Sequence, residues 1–496
     1  MRIGDTRRSQ SVKADFDGEF SALSLGGAVL VEKAMRSLGV MRLLRQHLSS
    51  ESACAGAYAL LAGLLVGGRG QQAAEWLGED PQMLRLFGLE GAACSDSSVY
   101  RLLCTVSGLE QRKQSEAYVA AGPQLPRLDM LGQEQSAPQL RRVVPQEPEA
   151  ASEASLKMLD NLLGGSAKRC LKALPRSVVR VGPWHAVFGD ATDAQVEGRC
   201  FDAACVGRDG QLALRWQTIT LGPVLVAQRL HPGNRDEGRS MPELLEAGRE
   251  VIRQCLRPKA LILALLDAAY CEKLVIETLQ RFGWHYIVCA NQWRAVLTRL
   301  AQEQPGMIWR DSGADARRGW IESQTGVFTH WFEGWSAPAT VVARRWRENG
   351  DLPGIWHYSF LITNIEKGRV PAEMMKHGYA QAIWMLYGTK QGRENHYKTP
   401  LRDLGLHHPP SGRLGVNQAF YALASVASNV AMVLRYRVLP AEERGMQLWN
   451  LRQKYFQIAG RLVRSGRTLM VWLAGASIHA ARQTLWRQAF AEAGRL

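Results

Sequence analysis

Two apolar runs in this chain, residues 184–189 and 260–266, each stop at an aspartate, Asp190 and Asp267, and a segment of helical period at 241–256 lies between them. An uninterrupted apolar run has no polar face to show to water, so a strand built from it is covered on both sides. Runs of this kind joined through helices imply parallel strands. A third run, 284–290, follows helical period at 272–282. Ahead of this alternation, strand-like stretches at 200–206 and 211–221 flank Arg208-Asp209-Gly210, whose Asp-Gly is a strong hairpin turn signal. Residues 224–230 form a further strand, ended by His231-Pro232-Gly233-Asn234. The expected fold class is therefore α/β.

The carboxyl ends of parallel strands in an open sheet are where sites form, and neighbouring strands would bring Asp190 and Asp267 together. Two carboxylates placed so repel unless a cation lies between them, and hard oxygen ligands suit Mg2+. Metals held this way can clamp the attacking and leaving oxygens of a phosphoryl displacement. Either aspartate taken alone equally fits a helix N-cap. Asp193, three residues past Asp190, is the alternative ligand on the first strand.

The rest of the chain divides by composition. Residues 1–122 are mainly of helical period, with Ser95-Asp96-Ser97-Ser98 reading as an N-cap before 99–106. Residues 123–156 read as a linker, since 123–148 hold five prolines and five glutamines with no sustained period. The core pattern occupies 157–304 and resumes at 366–435, around a β-like block at 305–365 that carries six of the 15 tryptophans. The basic end, 436–496, is expected to be helical. From 435 onward eleven Lys and Arg stand against three Asp and Glu, more than half of the chain's formal surplus of +15. That balance favours a polyanionic partner, nucleic acid or an anionic membrane face. The longest uncharged apolar stretch, 54–68, is too short to span a bilayer. Nine scattered cysteines with no C-x2-C pair, and an N-terminus without an apolar signal region, predict reduced thiols in a cytoplasmic protein.

A third acidic residue sits in Tyr387-Gly-Thr-Lys390-Gln-Gly-Arg393-Glu394-Asn395-His-Tyr-Lys398. With it the chain resembles the DDE transposases of bacterial insertion sequences, the superfamily of the group numbered four, and within it most the group numbered thirteen-eighty. Asp190-Ala-Thr192 is similar to that family's first-strand motif and Asp267-Ala-Ala-Tyr270 to its second. Tyr387 and Glu394 keep the spacing of its third, in which Lys390 stands where Arg is usual and Leu401, flanked by Lys398 and Arg402, where Lys is usual. His231 to Asn234, Asn417 with the Ala-rich stretch to Asn429, and Gly460-Arg-Leu-Val-Arg464-Ser-Gly-Arg467 add to the likeness.

The resemblance implies a ribonuclease-H-like catalytic core with a β-rich insertion, an α-helical DNA-binding region before it and a helical basic tail after it. It implies Asp190, Asp267 and Glu394 as catalytic residues and ligands of Mg2+, with Mn2+ able to substitute. The partners implied are transposon terminal repeats and target DNA, held by a homodimer associated with the nucleoid and with no membrane. Tyr387, Lys390, Arg393, Lys398 and Arg402 are the expected phosphate contacts near the site, with Arg344, Arg345, Arg461, Arg464 and Arg467 farther out. An inserted aromatic residue that stacks a displaced base is also implied. The rival readings are a silent DNA-binding repressor, or domesticated transposase, and a metal-dependent nuclease without strand transfer.

Overall fold

The computed structural model describes residues 25–110, 148–196, 201–304, 306–392, 399–465, 468–475 and 480–496, with short strands at Val12–Phe16, Tyr118–Ala120, Arg127–Leu128, Glu134–Gln135 and Leu140–Arg142. Its centre is an 11-stranded sheet. The strands that matter here are β1 (Trp184–Gln195), β2 (Leu212–Leu221), β3 (Val224–Pro232), β4 (Ile262–Leu266), β5 (His285–Cys289), β6 (Trp320–His330), β7 (Ala339–Glu348) and β8 (His357–Thr363). They lie in the order β3-β2-β1-β4-β5-β8-β7-β6. β1, β4 and β5 are mutually parallel, and every other neighbouring pair among them is antiparallel.

The apolar runs behave as their composition demands, since β4 and β5 are buried along almost their whole length. β1 differs from the sequence reading. Its buried run ends before Asp190, but the strand continues to Gln195 because β2 pairs with it as far as Gln195↔Ala213. The hairpin turn forms at the Asp-Gly signal, with Gly210 at φ 73°, a region that favours glycine. Gly189 has a different cause: a Cβ there would stand 2.7 Å from Leu266 Cδ2 and 3.1 Å from Met241 Cε, so glycine lets these side chains pack against the strand without shifting.

Two faces of the sheet carry separate cores. One is covered by Glu237–Cys255, Lys273–Arg281, Glu153–Ala173 and Leu414–Val433, which share a contiguous apolar cluster with the N-terminal helices and the C-terminal segment. All of Leu414–Val433 is buried, so a helix apolar enough by composition to cross a bilayer is spent on the interior. Its amides also hold the edge strand: Asn429 Oδ1 accepts from Leu225 N at 2.8 Å and its Nδ2 donates to Leu225 O at 3.0 Å. The other face packs on Tyr379–Gly388, here α1, through Trp184, Phe188, Leu263, Leu265 and Ile383.

The N-terminal region is helical over Val29–Ser37, Val40–His47, Glu51–Val66, Ala73–Gly78, Pro81–Phe87 and Asp96–Ser107. Ser95 caps the last of these, accepting from Ser98 N at 3.3 Å. The expected linker is helical at its end, since Ser152 caps Glu153–Ala173.

Two expectations change. The aromatic block is β-rich, but it continues the main sheet, because β8 pairs with β5 from Thr363↔Ile287 to Leu361↔Cys289. The basic end is not wholly helical: Gly460–Ser465 and Thr468–Leu473 form a hairpin, and Val12–Phe16 adds to it in parallel. Burial alternates along the second of these strands, with Leu469, Val471 and Leu473 buried and Met470 and Trp472 less so, as the period of a strand requires.

Candidate active site

The parallel register sets Ile262 beside His185 and Leu265 beside Phe188. Extended by two residues, it brings Asp267 level with Asp190 on neighbouring strands. Successive side chains alternate between faces. Asp190 therefore shares the face of Trp184 and Phe188, and Asp267 that of Leu263 and Leu265, the face on which α1 lies.

The turn after α1 supplies the counter-charge. Lys390 Nζ donates to Asp267 Oδ2 at 2.7 Å, with the lysine side chain 9% exposed and the aspartate 44%. Tyr387 OH donates to Asp267 Oδ1 at 3.2 Å, and burial first, then the neighbouring Cys289 and Asp267, hold its phenol protonated by raising its pKa. These two residues were expected to meet phosphate. In the structure they bond Asp267, since a carboxylate pair at adjacent strand ends needs a cation and, among the described residues, Lys390 supplies it.

Among the described residues Asp190 has no such direct side-chain partner, and its Oδ1 accepts from its neighbour's backbone, Ala191 N, at 2.9 Å. Burial raises its pKa to about 6, Asp267 adds to the rise, and Lys390 opposes it. The two aspartates thus sit in one site with unlike electrostatics.

Asp193 points the other way. It accepts Arg215 Nε at 2.6 Å and Arg208 N at 2.8 Å, and Arg215 also bonds Glu237. A buried guanidinium shared between two carboxylates explains this aspartate structurally. Cys289, which sequence reasoning did not place here, ends β5 beside Tyr387 and Asp267, and burial raises its thiol pKa. The available signal was that it ends the third parallel strand.

Glu394, Arg393, Lys398 and Arg467 lie outside the described residues. Of Arg464 only the backbone, within Gly460–Ser465, is described. Arg461, in the same strand, is exposed. Arg402 is exposed on the rim of a cavity of about 580 Å3 with Arg69, His407 and His408.

Arg344 and Arg345 are placed differently from the sequence expectation. Arg344 is 8% exposed, its guanidinium lies 4.3 Å from the Trp384 ring, and burial lowers its pKa to about 10. Arg345 lies between Trp309 at 4.2 Å and Trp356 at 4.3 Å. Both are taken up by aromatic faces, which attract a cation desolvated beside them.

Much of the tail's charge is likewise engaged. Arg452, buried, donates to Leu65 O at 3.0 Å, to Leu64 O, and to Asp403 O at 3.0 Å, so it satisfies carbonyls left open at a helix end. Arg435 does the same for Met446 O at 2.6 Å and Gly445 O at 2.8 Å. A charge count along a sequence cannot separate such staples from a solvated basic face.

Two level oxygen-donor carboxylates, Asp267 half open to solvent and Asp190 more deeply set, fit a hard divalent cation. Among the described residues no group of three or more His, Cys, Asp and Glu gathers as a metal cluster.

Residues 219–494 match the family model for the transposase DDE domain, group 1. The match includes Asp267 and Glu394 and begins within β2, after Asp190. No curated protein matches the chain. Among solved structures, the chain is similar to a piggyBac transposase synaptic complex with hairpin DNA, determined by cryo-EM, at 9% identity and a TM-score of 0.34. That likeness covers 61% of this chain and 56% of the other.

Proposed function

The chain belongs to the transposase DDE domain family, group 1, and from that premise we propose that it cleaves the ends of a bacterial insertion sequence and joins them to target DNA. The observation that carries this reading is the level pair Asp190 and Asp267 on neighbouring parallel strands, facing the helix that leads to Glu394. The strand order β3-β2-β1-β4-β5, with the antiparallel hairpin outside three parallel strands, supports a ribonuclease-H-like core.

Asp190, Asp267 and Glu394 would hold Mg2+, or Mn2+ in its place. When bound, the divalent ion supplies Lewis-acid polarisation of the phosphodiester and eases deprotonation of the attacking hydroxyl. The chain's own residues do the positioning. Tyr387 OH fixes Asp267 Oδ1, and Lys390 fixes Oδ2 while carrying a charge that a phosphate oxygen can share. Asp190, whose pKa of about 6 is held up by burial, has a carboxyl that releases its proton just below neutral pH. Two chains would pair two ends.

Of the six tryptophans in the aromatic block, Trp331 is the one exposed well beyond the others, at 60%, and its loop follows β6. It is the proposed base-stacking residue. Its neighbours Phe332 and Trp335 anchor the loop, with Trp331 Nε1 donating to Trp335 O at 3.0 Å.

The test is to incubate the full chain with pre-cut element ends, a target plasmid and Mg2+, beside Glu394→Gln. End-to-target joints made by the wild type and lost in the variant are expected. Binding without cleavage would make the protein a repressor, and cleavage without joining a nuclease.

A further inference from the structure

At the opposite end of the sheet from the aspartates, the amino ends of β1 and β4 border a cavity of about 510 Å3. Arg176, Arg180, Arg257 and Lys259 stand around it, exposed, and no Asp or Glu lines it. None of the four pairs with a carboxylate among the described residues. Like charges gathered without a counter-charge repel one another, and a cavity walled by them concentrates an anion.

His185 forms part of the cavity wall. It lines the cavity at 9% exposure, with Nε2 3.3 Å from Arg180 Nη2 and Nδ1 without any hydrogen-bond partner. A guanidinium can only donate, so Nε2 is the acceptor and the proton of the neutral ring lies on Nδ1. Burial, followed by Arg180 and Arg176, lowers the pKa of this histidine and keeps the ring neutral. Nδ1–H is then a buried donor without an acceptor, and such groups in folded proteins nearly always have one.

We propose that this cavity binds a phosphate-type oxyanion, with the four cations supplying the charge and the hydrogen-bond donors. Arginine forks match phosphate geometry, and a tetrahedral oxyanion offers acceptors to several donors at once. The site is separate from the carboxylate pair, since five residues of strand, about 16 Å, divide His185 from Asp190. Two sources share this chemistry: the backbone of DNA running past the catalytic end, and a free phosphate compound. The first rests on the transposase reading, and the second does not.

The experiment uses the full chain and the variant Arg176→Ser/Arg257→Ser/Lys259→Ser, whose changes are all at exposed positions, with equal melting curves as the control for folding. Calorimetric titration with inorganic phosphate and with ADP is run beside duplex DNA binding at several salt concentrations. Wild-type protein is expected to bind phosphate or ADP at least tenfold more tightly than the variant, or to show a slope of log affinity against log salt steeper by about 2–3, at roughly 0.9 per lost contact. A changed slope identifies the DNA backbone as the source. Loss of phosphate or ADP binding at an unchanged slope identifies a free phosphate compound. Equal behaviour of both proteins in every titration overturns the site. Mg2+-dependent cleavage, measured on the same preparations, reports separately on the catalytic reading.

Discussion

In the parallel half of the sheet the buried cation is Lys390 and its counter-group is a carboxylate, Asp267. In the antiparallel half, where β6, β7 and β8 extend the sheet, the cations are the buried Arg344 and the half-buried Arg345, and tryptophan rings face them. In the sequence all three read alike, as basic residues within three positions of an aromatic one. They differ in what releases them. A salt bridge to a carboxylate that is itself 44% exposed can exchange its partner for a phosphate oxygen. A guanidinium held between two indoles has to break the aromatic layer first. Position in the fold, more than charge, decides which cations are open to DNA.

The largest test of this contrast lies within the site itself. Asp267→Ala leaves Lys390 buried without its counter-charge, and a loss of about 1–3 kcal/mol is expected, below the roughly 3–5 of a fully buried pair because Asp267 is half open. Asp190→Asn should act in the opposite direction. A folded-state pKa of about 6, raised from 3.8, means that the folded protein binds the proton more tightly than the unfolded chain. The stabilising influence of the protonated group is complete below pH 4 and is lost as pH rises through 6. Relative to wild type, the asparagine variant should therefore melt equally at pH 4 and gain on the order of 2–3 kcal/mol at pH 7.5. A loss of stability at pH 7.5, or a gain unchanged between pH 4 and 7.5, would place both aspartates in the same environment. Both variants should be inactive in cleavage.

How much of this was visible beforehand follows from range. The paired strands, the hairpin and the helix before β4 are local patterns, so their order could be read along the chain. Asp190 and Asp267 could be brought level because apolar runs of similar length end at both. The extent of β1 could not, since residues 191–195 are strand only because β2 lies beside them. Lys390 and Tyr387 were marked as functional, but their hold on Asp267 spans more than a hundred residues and no local pattern encodes it. Arg452 reaches across still more of the chain to the carbonyls of Leu64 and Leu65, so for the same reason a count of the tail's charge includes cations that the interior uses.

The antiparallel half supplies the next test. Arg345→Ala removes contacts to Trp309 and Trp356 and the hydrogen bond from Nε to Gln324 Oε1 at 2.9 Å. A loss of about 1–3 kcal/mol is expected from the desolvated cation–π pairs and the packing of the side-chain stem. The slope of log affinity for DNA against log salt should stay as it was if the side chain remains engaged by both indoles and Gln324. A shallower slope at unchanged melting temperature would mean that Arg345 leaves its cage for DNA, which would erase the contrast between the two halves.

The smallest effect is expected where the antiparallel half meets solvent. Trp331 is 60% exposed, while Phe332 beside it is buried at 1% and keeps the loop in place. Trp331→Ala should therefore change the melting transition little. If the ring stacks a displaced base, the variant should bind and process element ends less well by about 1–3 kcal/mol, the range for one base on one aromatic side chain. The same substitution at Trp309 should do the reverse, costing stability through Tyr358 and Arg345 and sparing end processing in proportion to the folded protein that remains. If Trp331→Ala leaves processing intact, the exposed tryptophan is surface alone, and the aromatic half of the sheet serves as a scaffold that holds its own cations and none of the DNA.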